Sequence, residues 1–310
     1  MPRPKVLIAE KLPEMQTRWL AERCDVSEGE PTAEALAGVQ GMVVRTYTKV
    51  TPAVLASAPA LKVVGRAGVG LESVDLPACR AAGVRVVYTP EANTQAVVEL
   101  ALGMMLRLVR PWAQFETAIS PDDFKQRRAT QVGRQLNELT VGILGMGRIG
   151  RRLGRTLAHG LGCRVIYNDL QDVSRFVDFP ATAVDKPTLF AEADVLTLHV
   201  DMRPGNEHLV NARTLSTMRR HAVIINTCRG EVLDAHAVAS ALRENRLAGV
   251  AVDVYDPEPP GDDFPLLGKG NVILTPHMAA RTHTAMANMA WVVRDVWAVL
   301  DGREPTHPAV

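Results

Sequence analysis

The sequence predicts an α/β protein built as two doubly wound parallel-sheet domains, and three observations carry that expectation. Short apolar runs recur along the chain with amphipathic segments between them, the punctuation of repeated βαβ units. One such run breaks straight into a glycine-spaced turn, VGILGMGRIG at residues 141–150, and the same rhythm resumes after it. With 310 residues and 47% hydrophobic content, the chain is long enough for two cores.

Taken in order, strands are expected at 5–9, 41–44, 62–65 and 84–88, with helices at 14–23, 32–37 and 75–82. The helical apolar positions fall three or four apart, as on helices that cover a sheet. Asn93 is placed to cap a long helix running to about Arg110, where Pro111 ends it or begins the next turn. That helix is apolar around most of its circumference, which predicts burial between domains or subunits. The polar passage 120–137, with Lys125, Arg127, Arg128 and Arg134, reads as a surface connection or a solvated charged helix. Beyond the glycine turn, strands at 164–168, 195–199, 222–226, 249–252 and 271–274 alternate with helical segments. Asn211 and Asp234 are N-cap candidates for helices at 214–218 and 235–244. A last helix over about 282–300 carries Met286, Met289, Ala290, Val293, Val296 and Leu300 on one side, and should pack back on the first domain. Gly302 and Pro305 stop it. No internal repeat, low-complexity tract or regulatory extension after residue 310 is expected.

Composition narrows the function. A balance of 35 basic against 34 acidic residues gives a formal net charge of +1, which argues against a nucleic-acid or membrane surface built on bulk charge. The longest apolar stretch, 96–109, contains Glu99 and Arg107 and falls short of a membrane span. The apolar run 6–9 is too short for a secretory leader and is closed by Glu10 and Lys11. Cys24, Cys79, Cys163 and Cys228 are scattered without C-x-x-C spacing, as reduced thiols in a cytoplasmic protein would be. His208, His221, His236 and His283 read as surface residues, and no metal site is expected.

Gly145, Gly147 and Gly150 fill the places of G-x-G-x-x-G. The first permits the tight turn, the second lets a pyrophosphate approach the backbone, and the third lets helix and strand pack closely. The diphosphate would face a helix N-terminus near Arg148, where unpaired N–H groups and the macrodipole favour negative charge. The next strand runs out at Asp169, about twenty residues on, where a carboxylate grips a ribose diol. Asp169 would repel a 2′-phosphate and Asp172 adds to the negative field, so the expected cofactor is NAD rather than NADP. Three further segments sit at carboxyl ends of strands, where ligands bind in open α/β sheets: 226–230 (NTCRG), 253–259 (DVYDPEP) and 275–280 (TPHMAA). Arg229 could fork two hydrogen bonds to a carboxylate, Glu258 could hold an imidazole, and His277 could exchange a proton near neutral pH.

These segments, with RTYTKVT at 45–51, GRAGVGLESVDL at 65–76, YTPEANTQAVVE at 88–99 and RGEVLD at 229–234, resemble the D-isomer-specific 2-hydroxyacid dehydrogenase family almost from end to end. The resemblance implies a Rossmann NAD-binding domain over residues 99–285. It also implies a smaller flavodoxin-like substrate domain over 1–98, completed by a C-terminal helix at 286–310, with the active site in the cleft between the two. By the same resemblance Arg229, Glu258 and His277 are catalytic. NAD contacts fall on Gly145, Gly147, Arg148, Ile149, Gly150, Asp169, Thr227, Cys228, Asp253, Ala279 and Ala280, and substrate contacts on Arg45, Gly68, Val69, Gly70, Asn93 and Arg229. The implied activity interconverts a short D-2-hydroxy acid and its 2-oxo acid, as glyoxylate and hydroxypyruvate reductases do, in a homodimer with the 96–109 helix at its interface.

The chain also departs from the family's pattern. After His199, which matches a common family histidine, Val200, Asp201, Met202 and Arg203 replace the usual proline, leucine and threonine, so the loop over the cofactor should differ. Tyr88 stands where asparagine is frequent, and Ala279 and Ala280 where glycine is often found. Arg45, Thr48 and Lys49 resemble the phosphate side of 3-phosphoglycerate dehydrogenases, although Tyr47 would crowd such a pocket. Phosphoglycerate oxidation is therefore an alternative. A rival of another class is an NAD(H)-sensing, corepressor-like binding protein, which would have no need of all three catalytic residues.

Overall fold

Four-residue runs such as GMVV and VVGR can bury side chains on both faces, and parallel strands between layers of helix require that. The structure, a computed structural model, describes every residue except Met1, Pro111, Ala113 and Gln114. The chain divides into two units, Met1–Asn93 with Ala280–Val310, and Thr94–Ala279.

In the first unit β1 (Lys5–Ile8), β2 (Asp25–Glu28), β3 (Gly41–Val44), β4 (Val63–Arg66) and β5 (Arg85–Tyr88) form one parallel sheet in the order β2-β1-β3-β4-β5. This is the flavodoxin-like order. Leu7, Met42, Val44, Val64 and Val86 face one layer, and Val6, Ile8, Val43, Val63 and Val87 the other. Helices α1 (Glu14–Ala21), α2 (Ala33–Leu36), α3 (Pro52–Ala56) and α4 (Leu76–Ala81) connect the strands. β2 and α3 have no counterpart in the sequence reading. β2 is a mostly exposed edge strand, DVSE, and gives no apolar signal. α3 is a short helix opened by a Thr51 cap and Pro52.

The second unit begins with α5 (Thr94–Val109) and α6 (Pro121–Thr130). It continues through β6 (Thr140–Leu144), α7 (Arg148–Arg155), β7 (Arg164–Asn168), β8 (Thr182–Ala183), α8 (Lys186–Glu192), β9 (Val195–Leu198), α9 (Ala212–Thr217), β10 (Val223–Asn226), α10 (Ala235–Arg243), β11 (Gly249–Val252) and β12 (Val272–Leu274). The parallel sheet runs β12-β11-β10-β9-β6-β7-β8. Counted from β6, that is the Rossmann order 3-2-1-4-5-6 with one strand added at the far edge.

α5 corrects the expectation placed on it. Val98, Ala101, Met104, Met105 and Leu108 are buried in the unit's own core, against β10, β11 and α7. Asn93 does precede the helix, but its Oδ1 accepts no hydrogen bond among the described residues, so its side chain is not a cap. The expected stop at Pro111 lies outside the described residues. α6 is a solvated charged helix, capped by Ser120 and burying nothing. α9 and α10 carry the expected Asn211 and Asp234 caps, Asn211 within a capping box. β8 was not expected, and α8 was expected only as an unbounded helical segment, although Asp185 followed by Lys186 and Pro187 is a readable start signal for it.

The chain then returns to the first unit as two helices, α11 (His283–Ala290) and α12 (Val293–Leu300), where one had been expected. A tight turn at Trp291 and Val292 resets the register, so that Val292, Val293 and Val296 all face β3 and β4. Gly65 leaves room for them, since a Cβ there would lie 2.4 Å from Val296 Cγ2. Asp295 then accepts from the N–H groups of Thr306 (2.8 Å) and His307 (3.1 Å). This holds the last residues along β5, where Val310 O accepts from Val86 N at 3.0 Å and covers the sheet edge. No described helix is long and apolar enough to cross a membrane.

Candidate active site

The glycine turn follows β6, and two of its three glycines answer to a measurable constraint. Gly145 adopts φ +95°, and a Cβ there would lie 2.6 Å from the His199 carbonyl oxygen. At Gly150 a Cβ would meet the Gly145 carbonyl oxygen at 2.2 Å, so this glycine sets how closely α7 approaches β6. At Gly147 a Cβ would meet nothing within 4 Å. Gly147 is also the N-cap of α7 and brings no capping side chain to it, and a helix start favours an anion. Asp169 directly follows β7, and its Oδ2 accepts from Met146 N at 2.8 Å, which sets the carboxylate against the turn. At the ends of the neighbouring strands, His199 Nδ1 and Thr227 Oγ1 are buried without a hydrogen-bond partner among the described residues. The cradle, the acid and two buried polar atoms fit a dinucleotide. Burial also pushes the His199 pKa down to about 4, so its ring, bonded through Nε2 to Thr197 Oγ1 at 2.9 Å, is neutral.

The three carboxyl-end segments are built by side chains to which the sequence reading gave no structural role. Asn226, fully buried at the end of β10, accepts from Cys228 N at 3.1 Å and donates to the Arg229 carbonyl at 2.8 Å, folding the turn that carries Arg229. Gly230 lets this turn pack on the next loop, since a Cβ there would lie 2.0 Å from the Tyr255 carbonyl carbon. Cys228 is inert as a nucleophile, because burial pushes its thiol up to about 11. Glu258 Oε1 lies 2.6 Å from His277 Nδ1. With a carboxylate as acceptor, Nδ1 carries the hydrogen and Nε2 is left facing outward. The side chains are 31% and 41% exposed, so the pair is open to solvent.

Asp253, expected among the cofactor contacts, is fully buried and holds the histidine's loop. Its Oδ1 accepts from Thr275 Oγ1 (2.6 Å) and Met278 N (2.8 Å), and its Oδ2 from Ala279 N (2.8 Å). Tyr255 adds a hydrogen bond from its hydroxyl to the Thr275 carbonyl at 2.8 Å. Between these anchors His277 is held at φ +46°, a conformation that costs a non-glycine residue about 1 kcal/mol or more. An Asn directly after an apolar run was a legible turn signal; the anchoring by Asp253 had none.

The expected substrate contacts Arg45, Gly68, Val69, Gly70 and Asn93 belong to the first unit. Arg45 donates from Nη1 to the Lys11 carbonyl at 3.0 Å. Its pKa is lowered, first by burial and then by the neighbouring Arg281 guanidinium. The Gly68 N–H is already donated to Arg66 O at 2.8 Å. Tyr47, expected to crowd the pocket, is 84% exposed.

Residues 102–279 match the family described as D-isomer specific 2-hydroxyacid dehydrogenase, NAD binding domain. The chain belongs to this family. Among relatives, it is 35% identical over 313 residues to D-3-phosphoglycerate dehydrogenase of Synechocystis sp., a match covering 98% of this chain and 56% of that protein. The chain thus spans little more than half the length of that relative. It is 32% identical over 320 residues to glyoxylate reductase of Thermofilum pendens, covering 98% of this chain and 94% of the other. Among solved structures it resembles the TT0316 protein of Thermus thermophilus, with TM-score 0.87 and 33% identity over 99% of this chain and 100% of that one. The cofactor of this 2-hydroxyacid dehydrogenase domain is NAD, and the glycine turn, the Asp169 carboxylate and the start of α7 have the form of a cradle for it.

Proposed function

We propose that the chain is an NAD-dependent oxidoreductase that interconverts a short D-2-hydroxy acid and its 2-oxo acid, working as a glyoxylate or hydroxypyruvate-type reductase. The observation that carries this reading is the 2.6 Å pair of Glu258 and His277. The pair stands at the same carboxyl end of the sheet as the nucleotide cradle.

Bound NADH supplies the hydride for the carbonyl carbon. His277 Nε2 delivers a proton to the carbonyl oxygen, so that no alkoxide is left behind. Glu258 holds Nδ1 at 2.6 Å, which orients the ring for that transfer. Arg229 forks onto the substrate carboxylate and carbonyl oxygen, selecting the face that is reduced and stabilising the charge that develops. Within the first unit, the family resemblance offers Arg45, Asn93 and the N–H groups of Val69 and Gly70 as substrate contacts, the Gly68 N–H being already in use.

NADH oxidation with glyoxylate, hydroxypyruvate, pyruvate and 3-phosphohydroxypyruvate tests the reading, with His277→Gln as control. Turnover that disappears in the control is the expected result; NADH binding without any turnover would move the assignment to a corepressor-like sensor. The proximity of Arg45 and Arg281 favours a second reading, D-3-phosphoglycerate dehydrogenase, since two neighbouring guanidiniums suit a substrate with a second anionic group. Activity confined to 3-phosphohydroxypyruvate would select it.

The reading includes a cytoplasmic homodimer. Trp112, Phe115, Phe124 and Val132 are 48–79% exposed on and around α6, a helix that buries nothing of its own, and a second copy would cover them. Phe124→Asp should convert a dimer to a monomer in light scattering; a wild type that is already monomeric removes this part of the proposal.

A further inference from the structure

Glu10 carries no motif, yet its carboxylate gathers the N–H groups of four consecutive residues. Arg45 (3.0 Å), Tyr47 (3.1 Å) and Thr48 (2.9 Å) donate to Oε1, and Thr46 (3.2 Å) donates to Oε2. Burial alone would push this carboxyl up. The N–H groups of Thr48, Arg45 and Thr46, with the Thr48 hydroxyl, more than reverse that, and it titrates below the ordinary carboxylate value. The next residue contributes as well, since the Lys11 carbonyl accepts from Arg45 Nη1 at 3.0 Å. Two residues at the end of β1 therefore fix both the backbone of 45–48 and the direction of the Arg45 guanidinium.

Backbone N–H groups that converge on one point form an anion-binding concavity. Here the anion is part of the chain, and without it the four donors would face one another with no acceptor and the loop would leave this conformation. The loop is otherwise weakly tied, with Thr46, Tyr47 and Lys49 exposed.

We propose that Glu10 is a positioning residue for the substrate: a built-in anion that holds the 45–48 loop so that Arg45 meets the substrate's anionic oxygens already oriented. The proposal rests on the reading of Arg45 as a substrate contact in a 2-hydroxyacid dehydrogenase. Glu10→Gln keeps the side chain's shape but turns an NH2 group toward the N–H donors. The expected result is a KM for the best 2-oxo acid raised about tenfold or more with kcat within about threefold, because orientation of the bound acid is lost and the proton and hydride steps are not. NADH affinity should be unchanged, and peptide-resolved hydrogen exchange should quicken over residues 44–49. Glu10→Asp keeps the charge with a shorter reach and should fall between; it carries the comparison if Glu10→Gln does not fold. A folded variant with wild-type KM, or one in which kcat falls at unchanged KM, overturns the proposal. If the wild type reduces no 2-oxo acid, the underlying reading fails, while unchanged exchange over 44–49 would separately show that Glu10 does not hold the loop.

Discussion

Gly147 and Gly150 lie in one turn, three residues apart, and the structure predicts opposite consequences for the same substitution. At Gly150 the obstacle is backbone: a Cβ would sit 2.2 Å from the Gly145 carbonyl oxygen and 3.2 Å from Ile143 Cγ2. A normal carbon–oxygen contact needs roughly 1 Å more, so α7 must withdraw from β6 by about that distance. α7 and the turn that continues it seat Leu153 and Leu157, both fully buried, so the movement disturbs a packed layer. Overpacking of this kind costs about 1–3 kcal/mol, and a rigid backbone obstacle places Gly150→Ala near 3. For a unit of this size that lowers the melting temperature by about 6–12 °C.

At Gly147 a Cβ would meet nothing within 4 Å, and φ is −72°. Without nucleotide, Gly147→Ala should therefore melt at or slightly above the wild-type temperature, because alanine restricts the unfolded chain. With NADH the order changes. The added methyl stands where the pyrophosphate closes on the backbone, and the affinity should fall about tenfold or more, at least ~1.4 kcal/mol. Thermal melts without nucleotide and calorimetric titration with NADH separate the two effects. The reasoning is refuted if Gly147→Ala binds NADH like the wild type, or if Gly150→Ala melts with it.

Three further outcomes follow from buried polar groups. His199 is held neutral with a pKa lowered from 6.5 to about 4. The unfolded chain takes up its proton first, so His199 contributes full stability above about pH 7, and up to about 3 kcal/mol is lost as pH falls toward 4. Urea midpoints measured across that range should show a shallower pH dependence in His199→Gln; an unchanged slope would count against the neutral, buried ring. Asp253→Asn disturbs the three bonds that hold the 275–279 loop, and a displacement of His277 by about 1 Å should lower kcat about 100-fold while NADH affinity changes little. Full activity in that variant would show that the loop is held by other means. Asp194, nearly buried, accepts from Thr140 N (2.8 Å), Arg219 (3.0 Å) and His221 (2.6 Å). Burial raises its pKa, but these partners lower it further, to a net value below normal. Its contribution is therefore complete above about pH 4 and lost only in stronger acid. Asp194→Asn should cost about 2 kcal/mol near neutral pH, read as a lower melting temperature.

What could be read from the sequence was whatever chemistry writes locally. The glycine turn was legible because its three glycines stand at fixed spacing within one strand-to-helix turn, and so was Asp169, which directly follows the very next strand. β10 and β11 were legible as unbroken apolar runs. The polar edge strands β2 and β8 were not, because an edge strand hydrogen-bonds on one side and needs little apolar surface. The turn between α11 and α12 could not be read either. Its cause is the room above Gly65, more than two hundred residues earlier in the chain. At the candidate site, Glu258 and His277 were suggested by their place at strand ends and by the family resemblance, whereas the contact itself joins loops 19 residues apart in sequence.

The roles least visible in sequence have one physical form. Glu10, Asp253 and Asp295 are carboxylates that each accept two or more backbone N–H groups from a loop distant in the chain. Short loops after parallel strands leave consecutive N–H groups without partners, and burying such groups unsatisfied costs more than burying a carboxylate that accepts them. A carboxylate also offers about four acceptor sites, more than any neutral side chain, so one residue can fix a whole turn. The same reasoning explains why such acids escape recognition. Their partners are main-chain atoms, which impose no residue type on the loop they hold, so neither end of the interaction leaves a pattern. In this chain the loops held in this way include the one carrying Arg45 and the one carrying His277. In the proposed reaction the geometry would thus depend on acids that never touch the substrate, and a search confined to residues with chemistry of their own would miss them.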